Sequence, residues 1–153
     1  MKTSLKSLRV ATALLLLLAL AGCEPEPRDN AALFKSLHGQ WIVINYWAQW
    51  CKPCIKEIPE LNALDENHAD ITVLGVNYDG ATGDDLAAQI ATFGVSFQTL
   101  AEDPAALLGV PRPIVLPTTL IINPQGELVN SLVGPQTLES LRAATVEQEG
   151  PAT

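Results

Sequence analysis

The stretch 46-YWAQWCKPCIKEIPEL-61 holds two of the three cysteines of this 153-residue chain, with only two residues between them. Just before it, residues 40–45 (QWIVIN) form a nearly continuous run rich in β-branched residues, which predicts a strand covered on both faces. After it, apolar side chains recur at helical spacing and predict a helix from residue 52 to about residue 66. The cysteine pair therefore falls where a buried strand ends and a helix begins.

The middle of the chain continues this alternation. Residues 71–77 predict a second buried strand, and the order strand, helix, strand predicts parallel pairing with a right-handed crossover. A second helix follows, with Asp84 or Asp85 as its N-cap and Gly94 just beyond its last turn. We expect a short extended segment at 97–100 and a short helix at 104–108.

The last part of the chain predicts an antiparallel hairpin and a final helix. Residues 123–126 (NPQG) place proline and glycine at the second and fourth positions of a type I turn between two apolar stretches. Thr137 is the expected N-cap of a helix that carries Leu138, Leu141 and Val146. The order β-α-β-α-β-β-α predicts an α/β fold with a central mixed sheet and helices on both faces.

The N-terminal residues 1–22 have the layout of a lipoprotein signal peptide. Basic residues precede an apolar run of about a dozen residues, too short for a comfortable transmembrane helix. The run ends in LAGC, which resembles a bacterial lipobox, so we expect Cys23 to carry a lipid. The alternative is a plain signal peptide cut near Ala21. An unpaired, exposed thiol is unfavourable in an oxidising compartment, which favours lipidation.

The segment after the lipobox sets the expected location of the protein. Residues 23–30 predict a lipidated N-terminus and a proline-rich tether, and residues 31–149 the folded domain. We expect a protein of the cell envelope, anchored to a membrane and facing the periplasm. Glu24 stands where an aspartate typically retains lipoproteins in the inner membrane, which favours the outer membrane of a Gram-negative cell.

The charge balance excludes one class of partner. Removal of the signal peptide takes away three of the nine basic residues and no acidic ones, so the formal charge changes from −8 to −11. A net-acidic surface without a basic cluster argues against binding to nucleic acid or to anionic lipid.

Two cysteines at this spacing have three interpretations. A structural bridge would close a loop too short to stabilise the fold much through chain entropy. A zinc site needs about four ligands, and the two histidines, His38 and His68, have no suitable companions, so we predict no metal. A redox couple fits best, because Cys51 at the helix N-terminus meets free N–H groups that favour the thiolate. Cys54, inside the first turn, is suited to resolving a mixed disulfide.

Four neighbours of the cysteines are candidate site residues. Pro53 fits the first helical turn, where a missing N–H costs nothing. Lys52 is either a cation beside the thiolate or an ordinary exposed charge, and Trp50 either shapes the surface met by partners or lies at the edge of the core. Glu57 shares the helix face of Cys54 and either exchanges its proton, with a raised pKa, or is a solvated glutamate.

The segments NYWAQWCKPCIKEIPEL and LPTTLIINPQGEL together resemble thioredoxin-like proteins of the TlpA/ResA type. These are envelope-tethered thiol-disulfide oxidoreductases that include the reductases of cytochrome c maturation. The resemblance extends over about residues 32–144 and is weakest at 99–115. It implies a thioredoxin-like fold in which Cys51 attacks and Cys54 resolves. It also implies a cis Pro117 beside the dithiol, where the backbone of the flanking Leu116 and Thr118 pairs with an incoming partner chain.

The resemblance also bears on how protons are handled. Thioredoxin proper has a buried aspartate at the position of Asn45, whereas members of the ResA group have a glutamate placed like Glu57. The resemblance therefore favours the proton-exchanging role of Glu57 and assignment to the envelope.

The function expected from these residues is a lipid-anchored disulfide reductase without a cofactor. Its substrates would be disulfide-containing envelope proteins, with apocytochrome c as one candidate, and a membrane electron carrier of the DsbD or CcdA type would restore the dithiol. One alternative is a disulfide oxidase or isomerase using the same dithiol. A Cu(I)-binding assembly factor and an interaction module with a vestigial dithiol are two others.

Overall fold

A computed structural model of the protein describes residues 29–146. The predicted signal peptide, the lipobox Cys23, most of the tether and the last three residues of the predicted domain lie outside the described residues. The first helix begins at Asn30, one residue before the predicted start of the domain.

Within the described residues, five strands form one mixed sheet, and four helices accompany it. The elements are α1 Asn30–Ser36, β1 Trp41–Trp47, α2 Lys52–Asn67, β2 Ile71–Asn77, α3 Gly83–Phe93, β3 Gln98–Thr99, β4 Thr118–Ile122, β5 Leu128–Val133 and α4 Leu138–Ala144. The sheet order is β3-β2-β1-β4-β5. Strands β1, β2 and β3 run parallel, and β4 and β5 join as an antiparallel pair. This confirms the predicted mixed sheet with its parallel start and hairpin finish.

The central strand β1 divides the hydrophobic core in two. All seven of its residues are buried, and successive side chains point to opposite faces. One face, which includes Val43 and Trp47, packs against α2, α3 and α4. The other face, which includes Ile44 and Tyr46, packs against α1 and the segment after β3. Helices on both faces are therefore confirmed, although the three predicted helices that form, α2, α3 and α4, all cover the same face.

Helix α1, on the second face, was not expected from the sequence. It has seven residues, begins with the Asp29 carboxylate accepting the N–H of Ala31, and brings Leu33 and Phe34 onto the core. A helix this short is marginal by itself, so its stability comes from the sheet that it covers. Because the helix has only seven residues, its apolar stripe is too short to predict a helix from the sequence.

The prediction of a helix at 104–108 was wrong. The chain makes a single turn there, in which the N–H of Leu108 donates to the carbonyl oxygen of Pro104 over 2.9 Å. Gly109, with φ of 67°, then ends the turn. The predicted extended segment at 97–100 contributes the two-residue strand β3.

Two helix ends also differ from expectation. Helix α3 is capped by Thr82, not Asp84 or Asp85, which lie in its first turn, where acidic side chains favour the helix dipole. The left-handed Gly94 at its other end is confirmed. Helix α4 begins at the predicted cap but stops at Ala144, so Val146 lies beyond it and is exposed. The hydroxyl of Thr145 bonds back to carbonyl oxygens of the last turn, which competes with further helical bonds.

The hairpin turn is confirmed. The N–H of Gly126 donates to the carbonyl oxygen of Asn123 over 2.9 Å, which closes the turn between β4 and β5. Among the described residues there is no helix with the length and apolar character needed to cross a membrane.

Candidate active site

Cys51 lies at the N-cap of α2, in the turn that leaves the C-terminal end of β1. Its backbone is extended, and its sulfur accepts a hydrogen bond from the N–H of Cys54 at 3.2 Å. The two cysteines form a disulfide with a Cα–Cα distance of 5.3 Å. The helix N-terminus thus directs a backbone donor at the sulfur of Cys51, as the sequence predicts.

The two cysteines differ in exposure. Cys51 is 4% exposed, whereas Cys54 is 0% exposed. Of the pair, Cys51 is therefore the residue with surface that another molecule can reach.

The next residues on α2 are on the surface. Lys52 and Pro53 are both exposed, and Pro53 falls in the first turn, where its missing N–H has no intrahelical partner to lose. Lys52 makes no ion pair within residues 29–146.

Trp50 is a surface residue whose side chain contacts the residues that follow β2. Its side chain is 60% exposed, and its indole N–H donates to the carboxylate of Asp79, with Oδ2 at 2.9 Å. Its ring meets the edge of Tyr78 at a centroid distance of 6.4 Å. Trp50 is therefore a surface residue next to the cysteines in sequence, and not an aromatic side chain at the edge of the core.

A polar network connects this surface to the segment that leads to Pro117. The Arg112 guanidinium lies 3.9 Å over the Tyr78 ring, hydrogen-bonds the Tyr78 carbonyl oxygen and pairs with Asp103 at 2.7 Å. Asp103 also accepts the buried Tyr46 hydroxyl at 2.7 Å. The sequence carried no signal for this network, because its members come from β1, from the residue after β2 and from the segment where the family resemblance is weakest.

The network perturbs its two acidic groups in opposite directions. Burial and the neighbouring Asp103 raise the pKa of Tyr46 well above its ordinary value. Burial alone would raise the pKa of Asp103, but hydrogen bonds from Ala105, Tyr46 and Arg112 outweigh it and lower that pKa.

The bond between Leu116 and Pro117 is cis, the geometry that the family resemblance implies. Thr118 pairs with Tyr46 in the sheet, so Pro117 lies at the end of β1 from which the turn to Cys51 leaves. Thr118 is buried, with its hydroxyl donating to the carbonyl oxygen of Val115 at 2.8 Å, and Leu116 packs against both halves of the core.

Glu57 is a buried carboxyl on α2, three residues after Cys54. Only 2% of its side chain is exposed, so the solvated interpretation is wrong. Its Oε1 accepts from Asn45 Nδ2 at 2.6 Å, and its Oε2 accepts from the backbone N–H of Gln136 at 2.8 Å. Burial raises the pKa of Glu57, and these two hydrogen bonds only partly offset that effect.

Asn45 connects Glu57 to the sheet. Its side chain is fully buried, and its Nδ2 also donates to the hydroxyl of Thr119 at 3.0 Å, directly across the β1–β4 pair. Its Oδ1 has no hydrogen-bond partner among the described residues. Thr119 and Gln136 were not expected at the site. The sequence predicted a hairpin that contains Thr119 but did not place it beside β1, and it carried no signal for Gln136.

Residues 29–146 contain no group of three or more His, Cys, Asp or Glu side chains able to hold a metal ion. The site therefore consists of a disulfide at a helix N-terminus, a buried carboxyl behind it and a cis proline at the adjacent strand.

Known proteins are similar to this chain in sequence. The profile of the AhpC/TSA family matches residues 14–131. Over 109 residues the chain is 31% identical to the thiol-disulfide oxidoreductase ResA of Bacillus thuringiensis; the match covers 70% of this chain and 62% of ResA. Over 128 residues it is 30% identical to the thiol:disulfide interchange protein HelX of Rhodobacter capsulatus, covering 78% of this chain and 71% of HelX.

A solved structure extends the similarity to three dimensions. A secreted thiol-disulfide isomerase from Corynebacterium glutamicum superposes with a TM-score of 0.62 at 26% identity. The superposition covers 72% of this chain and 71% of that one.

Proposed function

Because the chain belongs to the AhpC/TSA family of thioredoxin-like proteins, we propose that it is a thiol-disulfide oxidoreductase acting on other proteins. The observation that carries this proposal is a disulfide whose two cysteines differ in exposure. Cys51, at the helix N-terminus, keeps 4% exposure, whereas Cys54 is fully buried. A bridge of this kind suits exchange with an outside partner better than a structural role.

In the proposed reaction the dithiol is oxidised and the partner disulfide is reduced. The Cys51 thiolate attacks one partner sulfur, so that a mixed disulfide forms and the other partner sulfur leaves as a thiolate. Cys54 then attacks Cys51. The intramolecular disulfide forms, and the partner sulfur that was bonded to Cys51 leaves as a thiolate with the electron pair of the broken bond. Two electrons pass to the partner in all.

Glu57 takes part by exchanging the proton of Cys54. The buried thiol must lose its proton before it attacks, and Glu57 lies on the same helix face with a raised pKa. A carboxyl that is too acidic would hold a transferred proton poorly, so the raised pKa suits this role.

The partner chain would dock beside Pro117. In our proposal the backbone of Leu116 and Thr118 meets an extended partner segment, and Trp50, Lys52 and Pro53 form the surface around it. The exposure of Trp50 and its anchoring on Asp79 support this placement. Peptide recognition through backbone pairing is a common mode for extended segments.

For cellular function we propose a reductase in the envelope, anchored through Cys23 and resupplied with electrons by a carrier of the DsbD or CcdA type. Cytochrome c maturation, with apocytochrome c as substrate, is the role that the ResA-type similarity supports best. Replacing Cys23 with serine should release the protein from membranes in cell fractionation. A variant that stays with the membrane fraction would contradict the anchor.

The activity is tested by reduction of insulin with dithiothreitol as the electron source. The purified protein should accelerate insulin reduction, and the Cys51→Ser/Cys54→Ser double variant should not. Equilibration with glutathione then tests the direction. We expect a potential nearer that of thioredoxin, about −270 mV, than that of DsbA, about −120 mV. A value near DsbA would instead favour an oxidase or isomerase.

A further inference from the structure

The hydrogen bonds of Glu57 restrict where a proton on its carboxyl group can reside. Its Oε2 accepts from the backbone N–H of Gln136, a group that can only donate. The carbonyl-type oxygen of a carboxylic acid is a better acceptor than its hydroxyl oxygen, so this bond favours leaving Oε2 unprotonated. A proton taken up by Glu57 is therefore better placed on Oε1.

Oε1 faces another donor. It lies 2.6 Å from Nδ2 of Asn45, a short distance that suits a charge-assisted bond to an ionised carboxylate. When Oε1 is protonated, two donors face each other in a buried site: the carboxyl O–H has no acceptor, and Asn45 Nδ2 keeps only the Thr119 hydroxyl. A buried unpaired polar group costs about 1–3 kcal/mol, so this arrangement is unfavourable.

The side-chain amide of Asn45 also contains an acceptor, Oδ1, that could receive a hydrogen bond from the protonated carboxyl. Asn45 Oδ1 is buried and has no hydrogen-bond partner among the described residues. An amide presents its oxygen or its nitrogen in nearly the same volume, so rotation exchanges the two without repacking.

We infer that the Asn45 side-chain amide turns over when Glu57 gains or loses a proton, so that both states of the carboxyl are hydrogen-bonded. Nδ2 donates to the ionised state, and Oδ1 accepts from the protonated state. Thr119 fits both orientations, because its hydroxyl accepts from Nδ2 in the first and donates to Oδ1 in the second. Asn45 and Thr119 are thus positioning residues for Glu57.

In the reaction, this rotation would accompany the resolving step, and this part of the inference rests on the proposed function. The Cys54 proton passes to Oε1 of Glu57, and the Cys54 thiolate forms the bond to Cys51 while the partner thiolate leaves. The amide of Asn45 turns its oxygen to the new carboxylic acid. On return of the proton to solvent or to the leaving thiolate, the amide turns back.

Within residues 29–146 no cation forms an ion pair with Glu57, since the single ion pair there is Arg112–Asp103. From α2, the groups on its side are Cys54 and Glu60, and the Glu60 carboxylate accepts the N–H of Leu138. Strands β1 and β4 contribute uncharged Asn45 and Thr119, and the segment before α4 contributes a backbone N–H. The amide is therefore the group that responds to the proton.

The rotation can be observed by nuclear magnetic resonance in the oxidised protein, in which neither cysteine titrates. With Glu57 ionised, the Asn45 amide protons should give nuclear Overhauser contacts to Thr119. These contacts should disappear as the pH is lowered through the titration of Glu57. Contacts that persist unchanged across that titration would overturn the inference.

The Glu57→Gln variant provides a test that needs no titration. The amide oxygen of the new Gln side chain should keep the hydrogen bond from the Gln136 N–H. The amide nitrogen then faces Asn45 as a donor, as the protonated carboxyl would. Asn45 should then show the rotated orientation at every pH. Wild-type contacts to Thr119 in this variant would overturn the inference as well.

A kinetic experiment distinguishes failure of this inference from failure of the proposed function. Reduced protein mixed with the chromogenic disulfide DTNB should release coloured thiol in two phases, first on attack by Cys51 and then on resolution by Cys54. Thr119→Val should slow the second phase about tenfold and leave the first nearly unchanged, while Thr119→Ser keeps wild-type rates. Absence of both phases in the wild type would count against the proposed function. Equal second phases in the valine and serine variants would count against the inference.

Discussion

The backbone N–H of Gln136 donates to Oε2 of Glu57 at 2.8 Å and so joins two residues 79 positions apart in the sequence. This bond fixes one side of a buried carboxyl. It links the segment before α4 to the helix that begins at the two cysteines. The position of the Glu57 carboxyl therefore depends on the fold of the C-terminal part of the chain.

The buried Glu57 carboxyl should make stability depend on pH. Because its folded-state pKa is raised above the ordinary value of about 4.3, its favourable contribution is complete below that value and is lost as pH rises through the folded pKa. Glu57→Gln does not titrate. The unfolding free energy of the variant minus that of the oxidised wild type should therefore increase with pH across this window.

Urea unfolding at a series of pH values measures this difference. The exposed neighbour change Lys56→Gln serves as a control and should show no such trend. A difference between Glu57→Gln and wild type that stays constant with pH would mean that Glu57 titrates normally in the folded state.

Asp103 should show the opposite dependence. Hydrogen bonds lower its folded pKa, so it contributes stability above its unfolded pKa and loses it as pH falls through the folded pKa. At neutral pH, Asp103→Asn should lower the unfolding free energy by about 1–3 kcal/mol, because the Tyr46 hydroxyl and Arg112 lose a charged acceptor. The deficit should shrink at low pH.

The matched control for Asp103 is Glu102→Gln, which removes an exposed charge one residue earlier. This variant should stay close to wild type at all pH values. If urea unfolding shows that Asp103→Asn and Glu102→Gln lower the unfolding free energy equally, the loss is caused by the change in net charge and not by the broken network.

Trp50 should matter for protein partners more than for small disulfides. Its ring is exposed beside Cys51 and is held by Asp79, so it offers apolar area to a docking chain without touching the chemistry of the sulfurs. Trp50→Ala should lower the rate with insulin by about tenfold, a loss of roughly 1.4 kcal/mol. The rate with DTNB should change little.

Trp50→Phe separates the ring from its anchor, since it keeps an aromatic side chain but loses the N–H that bonds Asp79. We expect an intermediate rate with insulin. An equal loss with insulin and DTNB in Trp50→Ala would show that the residue acts on the cysteines and not on docking.

The parts of the fold that could be predicted are those whose pattern is local and strong. Strands β1 and β2 are continuous apolar runs, α2 has a clear stripe, and the NPQG turn has its own chemistry. Helix α1 and the turn at 104–108 depend on the sheet surface that they cover, and no short-range pattern reports such contacts.

The site divides in the same way. Cys51, Cys54 and Glu57 are close in sequence, so helical spacing alone brings them together. Thr119 reaches Asn45 through the register of β1 with β4, and Gln136 reaches Glu57 only after the chain has passed through the hairpin. Their roles depend on distances that a sequence pattern does not contain. The burial of Glu57, which decides between its two interpretations, is a property of the same tertiary packing.

The central claim is that Cys51 meets the partner and Cys54 resolves the complex, and trapping tests it most directly. Cys54→Ser and Cys51→Ser proteins are expressed side by side, thiols are blocked by alkylation, and covalent adducts are compared before and after reduction. We predict that Cys54→Ser accumulates reducible complexes with partner proteins and that Cys51→Ser does not. Adducts on Cys51→Ser in equal amount, or none on either variant, would contradict the account.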